Sequence, residues 1–365
     1  MSGQGGPDAP LTGPVLVVGA GLLGTSIGLA LRRRGIEVLL RDVNPQNVTI
    51  AAGVGAGVDA DAATGSPVRL VVVAVPPDHL ADEIVTALAD GDAFVTDVGS
   101  VKGVPLRAVA DRVPAEDLAR YVGSHPMAGS ERSGPFAASA ALFDGRPWAV
   151  TPHQSAAPEA VETVTALALA CGATPVRLTP NEHDEAVART SHLPHLLAAL
   201  VAGRLADAPA SHLALSGQGV RDVTRIAAGD PGLWQQIVAG NAEAVADLLG
   251  AVRADLDALL EAVRSGDRER VRNLLERGVA GTEAIPGKHG GPAVPSAPVY
   301  VAVPDHPGEL ARLLSDAGEI GVNVEDLRID HDPARPVGLV ELTVAADRAD
   351  FLGDQLQARG WTTHR

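Results

Sequence analysis

Three groups of residues in this 365-residue sequence are spaced for chemistry. The first is Gly19, Gly21 and Gly24 in GAGLLG, which follows the apolar run PVLVV and opens the helical pattern TSIGLALRRRG. Glycines at that spacing let a backbone approach a pyrophosphate, which rests on the helix N-terminus beside Leu22 and Leu23. Asp42 ends the next apolar run, 18 positions after Gly24, where a carboxylate can accept from ribose hydroxyls and repel a 2′-phosphate. This combination predicts NAD in preference to NADP. Arg41 works against that preference, and a turn role ahead of Asn44 and Pro45 is the other reading of Asp42.

The second group centres on His125 in VGSHPMAGSERSG, a stretch with neither helical nor strand periodicity that reads as a loop. His125 is either a turn residue or a proton acceptor, since a histidine pKa of about 6.5 leaves the neutral form available near pH 7. Upstream, AVPP and DVGSVKG fall at the ends of apolar runs. Ligands collect along that edge of an open α/β sheet, so Pro76, Ser100 and Lys102 are candidates to line the nicotinamide side of the cleft. Asp97 and Ser100 can equally cap the helix that follows. The third group lies further on: His192 and His195 in TSHLPH, and Arg221 and Arg225 in RDVTRIAAGDPGLW. Two arginines four apart on one helix face make a clamp for a dicarboxylate; the other reading leaves Arg225 exposed and paired to Asp222. His192 and His195 have no carboxylate at ligand spacing, so no metal is expected.

The elements that must hold these groups follow from the pattern. Between residues 14 and 180, strands rich in Val, Leu and Ala alternate with helical stretches, predicting an α/β Rossmann-type domain whose parallel sheet is buried on both faces. From 181 to 285 the strand signals fade into Ala- and Leu-rich helices. That much apolar surface on a few helices predicts an all-α domain that buries part of it against a second subunit, giving a homodimer. Residues 286–297 are rich in Pro and Gly and read as a linker; residues 298–365 alternate strand and helix as a small ferredoxin-like α+β module would. Residues 1–13 read as a disordered tail.

Composition narrows the partners. With 29 Lys and Arg against 45 Asp and Glu, the net charge of −16 argues against nucleic acid or an anionic membrane. No apolar run approaches the roughly 18 residues of a membrane span, and no signal-peptide pattern opens the chain, so a cytoplasmic location is expected. The single cysteine, Cys171, reads as a small buried hydrophobe.

Taken in order, GAGLLGTSIGLAL, AVPP, DVGSVKG, SHPMAGSERSG, SHLPH and RDVTRIAAGDPGLW resemble the successive motifs of the prephenate and arogenate dehydrogenase family of tyrosine biosynthesis, over roughly residues 14–285. The tail resembles an ACT domain through PDHPGELARLL and GVNVEDLRI. The resemblance implies an NAD-dependent oxidative decarboxylation, in which hydride leaves the carbinol carbon of prephenate, carbon dioxide is lost and the ring aromatises to 4-hydroxyphenylpyruvate. It implies that His125 accepts the hydrogen bond of the ring hydroxyl and that Ser100 orients the two. It places Glu131 at the edge of the site, and has His195 and Arg225 bind substrate carboxylates beside a basic Arg221. The ACT module is then regulatory, with tyrosine as the expected effector. Arogenate is the rival substrate. A β-hydroxyacid dehydrogenase would put a lysine where His195 and Arg225 stand, and a non-catalytic sensor of NAD and an amino acid would not need His125.

Overall fold

The computed structural model describes residues 11–63, 67–129, 134–285, 295–331 and 337–364. Most of the predicted tail and most of the predicted linker lie outside them. Strands β1 (Val15–Val18), β2 (Val38–Arg41), β3 (Val58–Asp59), β4 (Leu70–Val73) and β5 (Phe94–Asp97) form one parallel sheet in the order β3-β2-β1-β4-β5. Helices α1 (Leu22–Arg33), α2 (Pro45–Gly53) and α3 (Pro77–Ala89) are the crossovers. Every residue of β1 and β4 is buried, as strands covered on both faces require. The strand order reverses between β1 and β4, and the GAGLLG turn and the AVPP segment meet at that switch point. The predicted Rossmann-type architecture is therefore present, with the short β3 as an added edge.

Two helices, α4 (Gly103–Ala110) and α5 (Ala115–Leu118), lead into a second sheet. Its strands are β6 (Gly123–Pro126), β7 (Pro147–Thr151) and β8 (Thr174–Arg177), with α6 (Pro158–Ala170) between the last two. β6 runs antiparallel to β7, and β8 parallel to it. His125 is thus on a strand, opposite Ala149, and not in the loop its neighbourhood suggests. Four residues are too few to show a period of two, and Pro126 is tolerated because β6 is the edge of its sheet. A parallel bridge between Val95 and Tyr121 ties the approach to β6 to the end of the first sheet. Cys171 closes α6 in the core, where burial pushes its thiol up to about 12.

The rest is helical up to residue 285. α7 (Pro180–Val187) starts with a capping box between Thr179 and Glu182. It passes through one π-helical turn, Ala188–His192, into α8 (Leu193–Gly203), with Pro194 in the first turn where a proline is harmless. Then come α9 (Ala210–Leu213), α10 (Gln218–Thr224), a 3-10 turn Arg225–Ala228, α11 (Pro231–Gly240), α12 (Ala242–Ser265) and α13 (Arg268–Glu283). No helix among the described residues is long and apolar enough to cross a membrane.

The chain divides into two compact units at Asp257, inside α12. The first joins both sheets to the helices from α7 to the first part of α12; the rest of α12 and α13 fall in the second. The second carries β9 (Ser296–Pro304), α14 (Glu309–Ile320), β10 (Asp326–His331), β11 (Val337–Ala345), α15 (Ala346–Ala358) and β12 (Thr362–His364). Its antiparallel sheet has the order β10-β11-β9-β12, which is ferredoxin-like, with β12 as a strand the sequence pattern did not announce. Val301, Leu313, Leu342, Leu352 and Leu356 form its fully buried centre.

Candidate functional site

The glycine turn has the shape a dinucleotide needs. Gly19 has φ of 101°, and a Cβ there would meet the Ala74 carbonyl oxygen at 2.4 Å. A Cβ on Gly24 would lie 1.9 Å from the carbonyl oxygen of Gly19, so helix α1 packs on the turn only as glycine allows. Nothing lies within 4 Å of a Cβ built on Gly21, the side from which a ligand would approach. Gly21 caps α1 without a side-chain hydrogen bond, so the first-turn N–H groups around Leu22 and Leu23 are not taken by a capping side chain. Asp42 stands at the end of β2, its Oδ2 accepting from the Ala20 N–H at 2.7 Å and its Oδ1 from the Asn44 N–H at 2.8 Å. The carboxylate therefore fastens the glycine turn as well as starting the next one; Oδ1 also accepts from Asn47 Nδ2 at 3.3 Å, and Oδ2, with one donor, keeps accepting capacity toward a ribose. Chain and dinucleotide fit. Pro76 caps α3 at the end of β4, exposed at the same edge.

A cluster of buried polar side chains lies behind β5 and β6. Asp97 is fully buried and receives three donors: the Tyr121 hydroxyl at 2.7 Å, the Gly99 N–H at 2.9 Å, and the Lys102 ammonium. Lys102 is itself 1% exposed and donates its other described bond to the Ser124 carbonyl at 2.7 Å. The expectation that Lys102 lines the cleft is corrected here: a carboxylate buried on β5 needs a countercharge, and Lys102 turns inward to supply it. Burial lowers the Lys102 pKa, and Asp97 works in the opposite direction. Neither Asp97 nor Ser100 caps α4. That place is taken from far along the chain by Asp184 on α7, whose Oδ1 accepts from the Lys102 N–H and Oδ2 from the Gly103 N–H, both at 2.8 Å.

His125 is half-buried, and its Nδ1 lies 2.9 Å from Nε2 of His183, with the rings edge to face. The Nδ1 of His183 lies 2.9 Å from Oδ1 of Asp184. Ser100 is half-buried at the end of β5, and the described hydrogen bond of the His125 ring, at Nδ1, is with His183. Burial holds His125 well below the usual histidine pKa, and His183, Lys102 and His192 push it the same way. Burial also lowers His183, against the bond to Asp184. Burial alone would raise the Asp184 carboxyl, but the bonds from His183, Gly103 and Lys102 outweigh it and keep it ionised.

The helical histidines continue from there. Asn241 donates from Nδ2 to the Asp184 backbone carbonyl at 2.7 Å and to Nδ1 of His192 at 3.3 Å. His192 is buried, and burial brings its pKa to about 4. It meets the edge of Trp234, whose face stacks on His195 at 3.5 Å between ring centroids. A Cβ on Gly229 would come within 2.6 Å of the Trp234 Nε1 and 3.1 Å of the His195 ring, so the stack depends on glycine at that position. Arg225 begins the 3-10 turn that packs on α8, the helix of His195. Arg221 and Arg225 are exposed and have no carboxylate partner among the described residues. Asp222 accepts from Gln218 at 2.9 Å, not from Arg225. Glu131 lies outside the described residues. His125, His192, His195 and the two arginines thus belong to one unit. The sequence reading missed His183, Asp184, Trp234 and Asn241; the Thr179–Glu182 capping box marks where the helix of the first two begins.

A switch-point dinucleotide cradle next to buried neutral histidines and unspent arginines defines a nicotinamide-dependent dehydrogenase for a small anionic substrate. Two family models match in tandem: prephenate dehydrogenase, nucleotide-binding domain, over residues 27–186, and prephenate dehydrogenase, dimerization domain, over residues 179–277. The chain is 38% identical to the probable prephenate dehydrogenase NovF of Streptomyces niveus, covering 95% of this chain and 98% of that protein. It is 26% identical to the prephenate dehydrogenase of Bacillus subtilis over 91% of this chain and 92% of that one. Among solved structures, prephenate dehydrogenase from Aquifex aeolicus, in complex with hydroxyphenyl propionate and NAD+, superposes with a TM-score of 0.65 at 29% identity, covering 74% of this chain and 98% of that one. The chain belongs to the prephenate dehydrogenase family.

Proposed function

We propose that this protein oxidises and decarboxylates prephenate to 4-hydroxyphenylpyruvate, with His125 accepting the hydrogen bond of the ring hydroxyl. The observation that carries this reading is the placement of a neutral, half-buried His125, bonded through its Nδ1, in the same unit as His195 and the arginine-bearing helix. NAD bound at the glycine turn supplies the hydride acceptor. His125 takes the hydroxyl proton as the carbinol carbon becomes carbonyl-like, a task for which burial keeps it unprotonated. His195 and Arg225 bind the substrate carboxylates and Arg221 adds positive charge, which a protein of net charge −16 needs where a dianion docks. Ser100 and Pro76 line the nicotinamide side.

Arg225→Ala tests the clamp. A charge-assisted bond to a carboxylate contributes about 1.5–3 kcal/mol, so KM for prephenate rises by roughly 10- to 100-fold while kcat changes little. Steady-state kinetics at saturating NAD read this directly, and an unchanged KM overturns the assignment.

The working form is a homodimer. Leu200, Leu215 and Leu256 leave 64%, 86% and 61% of their surface exposed, within the residues that match the dimerization-domain model, and a partner subunit would cover such apolar surface. The ferredoxin-like module acts as an ACT domain that reads an amino acid, for which tyrosine is the candidate; equilibrium dialysis of tyrosine against the full chain with no saturable binding would rule it out. Arogenate differs from prephenate by an amino group in place of a keto group, and remains the alternative substrate.

A further inference from the structure

We propose that Asp184 and His183 are positioning residues that fix the tautomer of His125, presenting a bare Nε2 to the substrate hydroxyl. The proposal rests on the reading of His125 as the group that meets that hydroxyl, and it deepens that reading by naming what makes the ring an acceptor.

The argument runs along the hydrogen bonds. Both oxygens of Asp184 are committed: Oδ1 to the Lys102 N–H and Oδ2 to the Gly103 N–H, each at 2.8 Å, with His183 Nδ1 2.9 Å from Oδ1. An ionised carboxylate can only accept, so the proton at this contact sits on Nδ1 of His183. His183 is 1% exposed, and burial keeps it neutral, so a ring that carries its proton on Nδ1 has a bare Nε2. That bare nitrogen lies 2.9 Å from Nδ1 of His125 and can only accept from it. His125 therefore carries its single proton on Nδ1. Its Nε2 is left with a lone pair, and no described residue bonds it.

The alternative arrangement fails on the same contacts. An Nε2–H on His125 would leave its Nδ1 bare against the bare Nε2 of His183, two acceptors at 2.9 Å. Protonating His183 on both nitrogens would repair that contact at the cost of a buried cation beside Lys102, which the burial of both disfavours. The relay is also anchored. Asp184 is tied to the start of α4, and Asn241 holds its backbone carbonyl at 2.7 Å. The side chains Asp184, His183 and His125 thus form one chain with one consistent set of proton positions.

The test is the proton position itself. In full-length protein with 15N-labelled histidine, saturated with NAD, long-range proton–nitrogen spectra distinguish the two tautomers, and His125→Asn identifies the His125 signals among the 11 histidines. The expected result is an Nδ1–H, bare-Nε2 pattern for His125. In His183→Leu that pattern gives way to the Nε2–H form that free histidine prefers, and kcat with prephenate falls about 10- to 100-fold, with KM and NAD affinity little changed. His183→Gln, whose side-chain oxygen can stand where Nε2 stood, restores the Nδ1–H signal and most of kcat, which a merely structural role for His183 would not do. A wild-type His125 protonated on Nε2 overturns the proposal, and so does a glutamine variant no better than leucine. Should the wild-type protein show the expected tautomer yet turn over no prephenate, the functional reading falls and the relay stands.

Discussion

His125→Asn loses about 10²-fold or more in kcat, the usual scale of a general base, while NAD affinity stays close to that of the unchanged protein. Asparagine keeps a polar side chain of similar reach on β6, so the pairing of Gly123–Pro126 with Pro147–Thr151 survives and the loss reports chemistry and not folding. The pH dependence gives an independent check. His125 must be neutral to accept a proton, and burial, His183, Lys102 and His192 all hold its pKa well below the ordinary value. The acid limb of kcat therefore lies below about pH 6.5, the unperturbed value, and activity persists as pH falls through that point. The variant shows low activity with no such limb. Stopped-flow measurement of the first turnover separates this from product release. A variant with unaltered kcat would leave His125 a structural residue of the edge strand.

Lys102→Met has the largest expected effect on stability. The ammonium and Asp97 are both essentially inaccessible, at 1% and 0% of their side-chain surface. Removing one partner of such a pair leaves the other charged and buried, which costs about 3–5 kcal/mol. The Tyr121 hydroxyl and the Gly99 N–H still donate to Asp97, but neither carries charge. At roughly 2–4 °C per kcal/mol for a unit of this size, Tm falls by about 10 °C. Lys102 also donates to the carbonyl of Ser124, next to His125, so kcat falls with it. Replacing Asp97 by Asn in the same chain removes the orphaned charge and recovers part of the stability. Thermal melts of the single and double variants measure this, and an unchanged Tm in Lys102→Met would contradict the countercharge role.

The features legible in the sequence are those whose physics is local. The glycine turn needs one strand, one helix and Asp42, all within about thirty residues, and the structure brings them together. The succession of strands and helices in the ferredoxin-like module, apart from β12, also follows from short-range pattern. What escaped is long-range. His125 reads as a loop residue because four strand residues bounded by glycine and proline carry no period, and only the pairing with Ala149 makes them a strand. Lys102 reads as a cleft residue because sequence does not reveal that Asp97 is buried with no other cation to meet it. His183 and Asp184 lie 58 and 82 positions from the groups they touch, and nothing in NEHDEA announces either contact.

The central claim is that this site oxidises prephenate. Initial rates of NADH formation, with prephenate and with arogenate at saturating NAD, test it most directly when 4-hydroxyphenylpyruvate is quantified in the same reaction. The account predicts NADH and 4-hydroxyphenylpyruvate in equal amounts from prephenate, at a higher kcat/KM than arogenate supports. Folded, NAD-bound protein that forms no NADH from prephenate would contradict it.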